Sequence, residues 1–408
     1  MSTQIRSTSA PPQRSVDKGC ALHAVRTRYR QAGDGERYKS GEQMPALHTA
    51  PWRVQRLGII MEPDLADPRE AGGVLNPAAM RGPDGELYLL PRLVGADNCS
   101  RIGLVRVVHD RQGTPRSVTR LGVALEPEEP DERNSRTGGG VEDPRVTYVA
   151  ALESYVMTYI ALGEAGPRIA LAISHDLVRW QRLGPVRLAP LHGLALGALD
   201  NKDALLFPEP VPAPDGQPAL ALIHRPDLGT YRPDGVRVRA PLPGLREQRP
   251  SMWLSYAPLH DLAAEGRPVF GQHHLLAGPA QPWEHLKVGG GPPPLRVGDA
   301  WLLLYHGVAG RIVEGPGQQC GVRYSAGLLL LDGQDPRRIL YRSAESILAP
   351  DTAAERLGMV PRVVFPTGLD ARPDGALDIY YGMADTRIGV ARAWLDGLLT
   401  PARAPSVA

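Results

Sequence analysis

The chain has 408 residues, and its 46 lysines and arginines nearly balance its 44 aspartates and glutamates, giving a formal charge of +2. A balanced chain has no overall charge to attract nucleic acid or an anionic membrane surface, and its apolar stretches are too short to span a bilayer. The 45 glycines and 41 prolines break helices and favour turns, so the composition excludes helix bundles and coiled coils and favours many short strands.

The two ends of the chain differ in composition from the part between them. Residues 1–50 are rich in serine, arginine and glutamine and contain no apolar segment like that of a signal peptide. We therefore expect an irregular, flexible N-terminal arm there, and a C-terminal tail at 397–408. The region 51–396 is expected to form one folded domain.

The cysteines and histidines indicate neither disulfides nor a metal site. Cys20, Cys99 and Cys320 are an odd, sparse set without a CxxC pair, which suits a reducing compartment, and we expect a cytoplasmic protein. The histidines, including the adjacent His273 and His274, have no partners at the spacing of metal ligands, so we predict no metal site.

Three kinds of short segment recur along the chain, five times and in the same order. Leading segments are found at 73–80, 141–149, 201–210, 288–295 and 363–369. Segments with the apolar pattern of a strand follow at 84–92, 154–162, 217–226, 299–307 and 375–383, and again at 101–108, 168–176, 251–259, 324–332 and 387–395. Repetition of a small antiparallel sheet is typical of a β-propeller, so we predict an all-β, five-bladed propeller. A β-sandwich with coincidental strand spacing is the alternative.

The leading segments carry polar residues that buried strands normally avoid. These are Asn76, Glu142, Asp143, Arg145, Asn201, Lys202, Asp203 and Glu209. Buried charges are costly unless they are paired or lie in a solvated pocket, and five leading strands would converge at one mouth, so we predict a functional site there. Because side chains alternate along a strand, we expect only one of the adjacent carboxylates Glu142 and Asp143 to face this site, the other anchoring a turn.

Cationic and hydrogen-bond-donating residues recur at matching positions of the repeats. They are Arg101, Arg145, Lys202, His224, Arg225, Tyr305 and His306. Guanidinium and ammonium groups match the oxygens of phosphate, so their convergence predicts an oxyanion pocket. The glycine-rich run 289–294 lacks the GxxxxGK[ST] pattern of a phosphate loop, and we expect it to permit close backbone approach instead.

A series of motifs extends from about residue 61 to residue 391. In order, they are GVLNPAA, SRIG, GGGVEDPR, NKDALLFPE, HRP, WEHLKVGGGPPP, LLLYHG, DPRRILYRS, VVFPTG and YYGMAD followed by IGVA. Together they resemble glycoside hydrolase family 130. The resemblance implies a five-bladed β-propeller that acts on β-mannosides, in most members by phosphorolysis with inversion and in a minority by hydrolysis.

The resemblance also implies roles for individual residues. Asp143, in VEDPR, matches the catalytic acid, which protonates the glycosidic oxygen through the 3-hydroxyl of the bound mannosyl unit. Inorganic phosphate then attacks the anomeric carbon from the opposite face and gives α-mannose 1-phosphate. The positions implied for phosphate binding are Arg101, Arg145, Lys202, His224, Arg225, Tyr305 and His306. Those implied for sugar binding are Asn76, Lys287, Asp385 and Asp203.

We therefore expect an inverting β-mannoside phosphorylase with inorganic phosphate as co-substrate and no cofactor. An inverting phosphorylase needs one acid and an anion pocket, whereas a hydrolase needs a second carboxylate as base. The cationic set favours phosphorolysis, while Asp203 and Glu209 leave a β-mannosidase as an alternative, and a non-catalytic sugar-binding propeller is the alternative of another class. The expected partners are a mannose-containing oligosaccharide and phosphate, without nucleic acid or membrane, and a homo-oligomer is compatible with the sequence.

Overall fold

The computed structural model describes residues 52–134, 138–228, 230–231, 238–239, 245–263, 267–311 and 321–395. The predicted arm (1–50) and tail (397–408) lie outside these residues, as do Cys20 and Cys320. Nearly all of the regular structure is β-strand, as the composition predicts. Among the described residues the α-helices are short: α1 (Leu259–Ala263) and α2 (Ala353–Arg356). None of the helices in this part of the chain has the length and apolar character needed to cross a membrane.

The first strand, β1 (Arg53–Met61), is followed by two antiparallel meanders of four strands each. The first meander contains β2 (Gly73–Arg81), β3 (Leu87–Val94), β4 (Ser100–His109) and β5 (Pro115–Leu125). After the short β6 (Arg133–Asn134), the second contains β7 (Gly138–Val149), β8 (Ser154–Gly163), β9 (Gly166–Ser174) and β10 (Gln181–Pro185). A parallel bridge between Ser100 and Gly140 joins the two meanders into one sheet.

The third meander has short strands at its margins. Its long strands are β12 (Asn201–Leu206), β14 (Pro218–Pro226), β17 (Met252–Pro258) and β18 (Val269–Ala277). Two marginal strands, β11 (Arg187–Leu188) and β13 (Val211–Pro212), pair with β18 and β14 respectively. A separate hairpin is formed by β15 (Thr230–Tyr231) and β16 (Val238–Arg239).

The last two meanders complete the fold, and the fifth uses the first strand of the chain. The fourth contains β19 (Lys287–Gly290), β20 (Leu295–Val297), β21 (Ala300–Gly310), β22 (Val322–Asp332) and β23 (Ile339–Arg342). The fifth contains β24 (Val364–Ala371), β25 (Leu377–Met383) and β26 (Arg387–Trp394). Because β1 pairs antiparallel with β26, from Arg53 opposite Trp394 to Met61 opposite Ile388, the N-terminal strand becomes the fourth strand of the last sheet.

The same three residues, Pro-Asp-Gly, form the turn before the second long strand in three of the meanders, at 83–85, 214–216 and 373–375. In the first turn Asp84 Oδ1 accepts a hydrogen bond from the backbone N–H of Glu86 at 3.1 Å, and Gly85 has a φ of +80°. Glycine adopts this left-handed conformation most readily, because it has no Cβ to clash with the backbone. Part of the glycine and proline excess therefore serves to fix these hairpins.

Apolar clusters lie between successive meanders and join them in a cyclic order. Each cluster contains residues of two meanders, and from the first–second cluster to the fifth–first cluster examples are Ile102 and Met157, Ile160 and Leu220, Leu254 and Leu303, Leu328 and Ile379, and Tyr380 and Leu89. Complete burial of one such leucine or isoleucine contributes about 1.5–3 kcal/mol, so these clusters are the main force that holds the sheets together. Each meander thus packs on the next, and the fifth packs on the first.

Candidate active site

A cavity of about 460 Å³, which we call the central pocket, receives residues from all five meanders and the segments that connect them. Its walls hold six carboxylates, four lysine or arginine side chains and one histidine. The lining residues are Asn76, Arg92, Glu142, Asp143, Leu162, Pro167, Asp200, Lys202, Asp203, Arg225, Asp227, Lys287, His306, Tyr324, Val363, Phe365 and Asp385. The leading strands β2, β7, β12, β19 and β24 each contribute, so groups far apart in the sequence meet in one polar cavity.

Three of the lining residues on the leading strands share an uncommon backbone conformation. Asn76, Asp143 and Asp203 have φ values of +46°, +48° and +57°, and each lies where a β-bulge shifts the register of its leading strand. Asn and Asp enter this left-handed region more readily than other residues with a side chain, and a bulge changes the direction in which side chains point. The same local device therefore turns one amide and two carboxylates into the pocket from three different strands.

Glu142 and Asp143 both line the central pocket, so the prediction that only one of them would face it is wrong. The bulge between Glu142 and Arg145 breaks the alternation on which that prediction depended. Arg92 bridges the two carboxylates, with one guanidinium nitrogen 2.6 Å from Glu142 Oε1 and another 3.4 Å from Asp143 Oδ1. Lys202 Nζ donates to Glu142 Oε2 at 3.1 Å, so Glu142 is held between two cations.

Among the pocket residues that sequence reasoning missed are Arg92, Tyr324 and Phe365. Arg92 lies on β3, in the otherwise apolar run LYLLPRLV. A single charge in such a run needs a buried partner, and this was the available signal. Tyr324 and Phe365 gave no signal, because an aromatic residue in a strand is indistinguishable from a core residue until its neighbours are known.

Asp143 is surrounded by hydrogen-bond donors. Its Oδ1 accepts from Asn76 Nδ2 at 2.9 Å, and its backbone oxygen accepts from the guanidinium of Arg145 at 3.0 Å. Burial acts to raise the pKa of the Asp143 carboxyl, but the positive charges of Arg92 and Lys202 outweigh burial and hold the pKa below its usual range. With these neighbours alone, Asp143 is ionised at neutral pH.

Asp385, in the turn between β25 and β26, differs from Asp143 in the direction of its pKa shift. Burial raises the pKa of Asp385 to about 6, against the opposing charge of Arg92. The negative charges of Asp143 and Glu142 add to the rise. Neighbouring carboxyls whose pKa values are pushed apart can take different roles in proton transfer.

Asp203 forms an ion pair with Arg225 and lies next to His306. Arg225 Nε lies 2.5 Å from Asp203 Oδ2, and His306 Nε2 lies 3.5 Å from the same oxygen. Burial acts to raise the pKa of Asp203, but Arg225 overcomes this effect, and the pKa lies far below its usual range. Burial lowers the pKa of His306 to about 3, so its ring is neutral. A carboxylate with so low a pKa is a weak general base.

An aromatic surface lies beside these polar groups. The rings of His306 and Phe365 have centroids 4.4 Å apart, and the ring of Tyr324 is 6.1 Å from that of Phe365. Lys287 Nζ lies 5.0 Å from the centre of the Tyr324 ring. Flat aromatic faces next to a few fixed polar groups are the type of surface on which a sugar ring binds.

Of the described residues predicted for the anion pocket, Lys202, Arg225 and His306 line the central pocket, and four do not: Arg101, Arg145, His224 and Tyr305. Arg101, on the third strand of its meander, is paired with Glu126 at 2.8 Å and Asp97 at 3.1 Å. It is therefore held by local carboxylates away from the pocket.

The other three do not line the pocket, for reasons of local geometry. Arg145 is 1% exposed and donates from Nε to the backbone oxygen of Gly291 at 2.6 Å, so it ties the bulge of β7 to the glycine-rich segment. His224 and Tyr305 each precede a lining residue on the same strand and so face the opposite side of the sheet. There the ring of Tyr305 packs 5.6 Å from that of Trp283.

His224 belongs to a buried hydrogen-bonded series, which we call the histidine chain. His273 Nε2 lies 2.9 Å from the backbone oxygen of Ala189, which can only accept, so Nε2 donates and Nδ1 accepts from Ser255 Oγ at 2.7 Å. Ser255 in turn accepts from His224 Nε2 at 2.8 Å, which leaves His224 Nδ1 to accept from Asn201 Nδ2 at 2.9 Å.

The charge state of the histidine chain agrees with this direction of donation. Burial lowers the pKa of His224 to about 3 and also lowers the pKa of His273, so both rings are neutral. The chain ends at Asn201, whose neighbours Lys202 and Asp203 line the central pocket. The histidine chain therefore holds the start of β12 in place from the side of the sheet opposite the central pocket.

The chain is similar in sequence to known proteins of one family. Residues 47–402 match the model of glycoside hydrolase family 130, described as beta-1,4-mannooligosaccharide phosphorylase. The chain is 31% identical to the 1,2-beta-oligomannan phosphorylase of Thermoanaerobacter sp. (strain X514) over 255 residues, 62% of this chain and 67% of that protein. It is also 31% identical to the beta-1,2-mannobiose phosphorylase of Listeria innocua over 248 residues, 60% of this chain and 56% of that protein.

Solved structures share the fold. The beta-1,2-mannobiose phosphorylase from Listeria innocua, in complex with beta-1,2-mannobiose, superposes with a TM-score of 0.59 at 23% identity, covering 83% of this chain and 96% of that one. A putative glycoside hydrolase from Parabacteroides distasonis gives a TM-score of 0.60 at 21% identity, covering 86% of this chain and 98% of that one. The family match over most of the sequence shows that the chain belongs to glycoside hydrolase family 130.

Proposed function

We propose that the chain is an inverting β-mannoside phosphorylase, which cleaves a mannosyl oligosaccharide with inorganic phosphate and releases α-mannose 1-phosphate. The observation that supports the proposal is that one pocket holds both the Asp143 carboxyl, which accepts a hydrogen bond from Asn76, and two cations, Lys202 and Arg225, whose charge matches a phosphate oxyanion. The relatives named above, at 31% identity, are phosphorylases of β-mannosyl compounds, which supports the same reaction class.

We also propose that the five meanders are the blades of a β-propeller. Three features support this arrangement: each meander packs on the next and the fifth on the first, β1 pairs with β26, and all five leading strands line one pocket. Joining the first and last strands in one sheet closes the ring by hydrogen bonds and fixes its ends together.

In the proposed reaction Asp143 is the acid. Asn76, Asp385 and Lys287 hold the mannosyl ring, with one face of the ring against Tyr324. Asp143 gives its proton to the 3-hydroxyl of the ring, and this hydroxyl passes its own proton to the glycosidic oxygen. The bond between that oxygen and the anomeric carbon breaks, and the leaving sugar departs as an alcohol.

Phosphate is the nucleophile and is held by Lys202 and Arg225, with the neutral His306 as a further hydrogen-bonding group. An oxygen of phosphate attacks the anomeric carbon on the face opposite the leaving group, so a new C–O–P linkage forms with inversion. Lys202 and Arg225 already contact Glu142 and Asp203, which keeps their charged ends oriented. Fixed cations bind a phosphate oxyanion with little loss of side-chain entropy.

Phosphate binding also accounts for how Asp143 acquires a proton. The nearby Lys202 is one of the charges that lower the pKa of Asp143. A phosphate dianion beside Lys202 offsets that charge, so the pKa of Asp143 rises when phosphate binds. At pH 8, where free phosphate is already mostly the dianion, phosphate binding is therefore expected to take up protons, which calorimetry in buffers of different ionisation enthalpy measures.

Hydrolysis would need a second carboxylate as base, and the two candidates from the sequence are poorly suited to this role. Glu209 is exposed and does not line the central pocket, as far as the described residues define it. Asp203 lines the pocket but is bound to Arg225, and its low pKa makes it a weak base. This arrangement favours phosphate over water as the nucleophile.

Product analysis tests the proposal. β-1,2- and β-1,4-mannobiose are incubated with the protein, with and without inorganic phosphate, and α-mannose 1-phosphate is measured. We expect cleavage and mannose 1-phosphate only when phosphate is present, and the substrate that is cleaved reports the linkage. Equal cleavage without phosphate would identify a β-mannosidase, and binding without any cleavage would identify a sugar-binding module.

A further inference from the structure

A second cavity, of about 490 Å³, lies where β1, β22 and the segment around α2 meet. Its lining includes four arginines, and Asp351 is the one carboxylate on its described walls. We call it the arginine cavity after these residues: Arg56, Arg323, Arg356 and Arg362. No step of the proposed reaction uses any of them.

Two of these arginines already have partners. Arg56 donates from Nε to Glu355 Oε1 at 2.8 Å and from a terminal nitrogen to the backbone oxygen of Ala349 at 2.6 Å. Arg356 donates to Asp351 Oδ1 at 3.0 Å. The carboxylates in and behind the wall are thus already paired with these two arginines.

Arg323 and Arg362 are left with uncompensated charge. Both are exposed, and neither forms an ion pair with a carboxylate in the part of the chain that the structure describes. Arg362 also has a φ of +63°, in the left-handed region that a residue with a long side chain rarely adopts. Strain of this kind is retained where the surrounding structure imposes it, and it is common at binding sites.

The arginine cavity and the central pocket share a wall. Tyr324 and Val363 line the central pocket, while the residues that precede them, Arg323 and Arg362, line the arginine cavity. The two segments are joined by a hydrogen bond from the backbone N–H of Tyr324 to the backbone oxygen of Arg362 at 3.0 Å. A ligand that links the two arginine side chains would therefore act on the backbone that carries Tyr324.

We propose that the arginine cavity is a second anion site, which binds the phosphate group of a small phosphorylated compound through Arg323 and Arg362. Guanidinium groups present paired donors that match two phosphate oxygens. The cavity volume of about 490 Å³ is larger than a phosphate ion needs and lies in the usual range for small-molecule sites. A phosphate ester of hexose size fits this space, with inorganic phosphate as the smaller ligand of the same chemistry.

The experiment is isothermal titration of the full chain at low salt with two probes, inorganic phosphate and glucose 6-phosphate. Arg323→Ala/Arg362→Ala removes the proposed ligands, and Arg106→Ala/Arg111→Ala removes the same charge from two exposed positions outside both cavities. Lys202→Ala reports on the central pocket. Thermal unfolding establishes that each variant is folded.

We expect glucose 6-phosphate to bind Arg323→Ala/Arg362→Ala at least tenfold more weakly than the parent. Its affinity should be unchanged in Arg106→Ala/Arg111→Ala and in Lys202→Ala. Inorganic phosphate should bind the parent at two sites. Binding at the arginine cavity should be lost in Arg323→Ala/Arg362→Ala, and binding in the central pocket should be lost in Lys202→Ala. A higher affinity for glucose 6-phosphate than for phosphate would show that the cavity also contacts the sugar.

Four results would overturn the proposal: no binding of glucose 6-phosphate to the parent, undiminished binding to Arg323→Ala/Arg362→Ala, equal losses in Arg106→Ala/Arg111→Ala, or loss of all binding in Lys202→Ala. Failure of the proposed function gives a different result. In that case cleavage does not depend on phosphate and Lys202→Ala changes no phosphate binding, while the loss in Arg323→Ala/Arg362→Ala remains.

Discussion

The leading strands of the first three meanders contribute to the central pocket in a different way from those of the last two. On β2, β7 and β12 a bulge places Asn76, Asp143 or Asp203 in the left-handed region, which turns a polar side chain into the pocket. Each of these strands therefore accepts backbone strain and an irregular ladder in order to present one functional group.

Besides the side chains of Lys287 and Phe365, the leading strands β19 and β24 contribute close packing at glycine residues, and we call them the glycine strands. A Cβ added at Gly289 would overlap the carboxylate of Asp203 and the ring of His306, and one added at Gly368 would lie 2.8 Å from Ala79 Cβ. The close approach expected for the run 289–294 is found at Gly289. The polar strand β12 therefore depends on the glycine strand β19, because Asp203 can occupy its position only while residue 289 has no side chain.

The largest expected effect tests the polar strands. Asp143→Asn keeps a residue that tolerates the left-handed conformation but cannot give up a proton, so we expect kcat to fall about 10²–10⁴-fold. Initial rates with saturating mannobiose and phosphate measure this. The matched control is Asp215→Asn, at an exposed hairpin turn, which should leave the rate unchanged. A rate for Asp143→Asn within tenfold of the parent rate contradicts the assigned role.

The next prediction tests the glycine strands. Gly289→Ala should lower the free energy of unfolding by about 1–3 kcal/mol, the usual cost of an extra group in a packed site. It should also raise KM for phosphate, because the new Cβ displaces Asp203 and His306. Gly197→Ala is the control, since a Cβ there has no described atom within 4 Å. If the two substitutions changed the free energy of unfolding and KM for phosphate equally, the dependence of β12 on β19 would be refuted.

This contrast also explains how far the sequence could predict the structure. The repeat of leading and following segments and the Pro-Asp-Gly turns depend on local residue preferences, and they predicted the strands and their order in the chain. The convergence of Lys202, Arg225 and His306 followed from the repeat as well. Side-chain direction was less predictable, because a bulge inserts one residue and reverses the alternation, as Glu142 and Asp143 show.

Contacts between strands were beyond the reach of sequence patterns. Arg101 and Arg92 lie on neighbouring strands of the same meander, yet Arg101 is bound by carboxylates near it in the chain and Arg92 reaches carboxylates on β7. Which arginine meets which carboxylate depends on how the sheets pack, and that packing is set by many small apolar contacts rather than by a motif.

The third prediction concerns the pH dependence of stability at Asp385. Its pKa is raised from 3.8 to about 6, so between these values the unfolded chain ionises first and the folded chain loses stability as the pH rises. Above pH 6 the loss is complete. Asp385→Asn removes it and should stabilise the fold by about 1–3 kcal/mol at pH 8 but hardly at pH 4. Urea unfolding at both pH values measures this, and an equal change at both would show that the Asp385 charge is not the cause.

The smallest expected effect tests the histidine chain behind β12. Ser255→Ala leaves the Nε2–H of His224 without its acceptor and should cost about 1–2 kcal/mol. The loss of this hydrogen bond frees Asn201 to reorient, so the neighbouring Lys202 is held less firmly and KM for phosphate should rise a few-fold. The value of kcat should change little, because Asp143 lies on another strand.

Ser251→Ala is the matched control for this prediction. Ser251 is also buried and lies next to β17, and its hydroxyl donates to the backbone oxygen of Arg249 at 2.8 Å, so its removal costs a comparable hydrogen bond. Ser251 has no link to Asn201 in the described hydrogen bonds, and its substitution should lower stability without changing KM for phosphate. If both serine variants raised KM equally, general loosening of the third meander would explain the effect. A rise in KM for phosphate in Ser255→Ala alone would show that the histidine chain positions β12, a polar strand of the pocket.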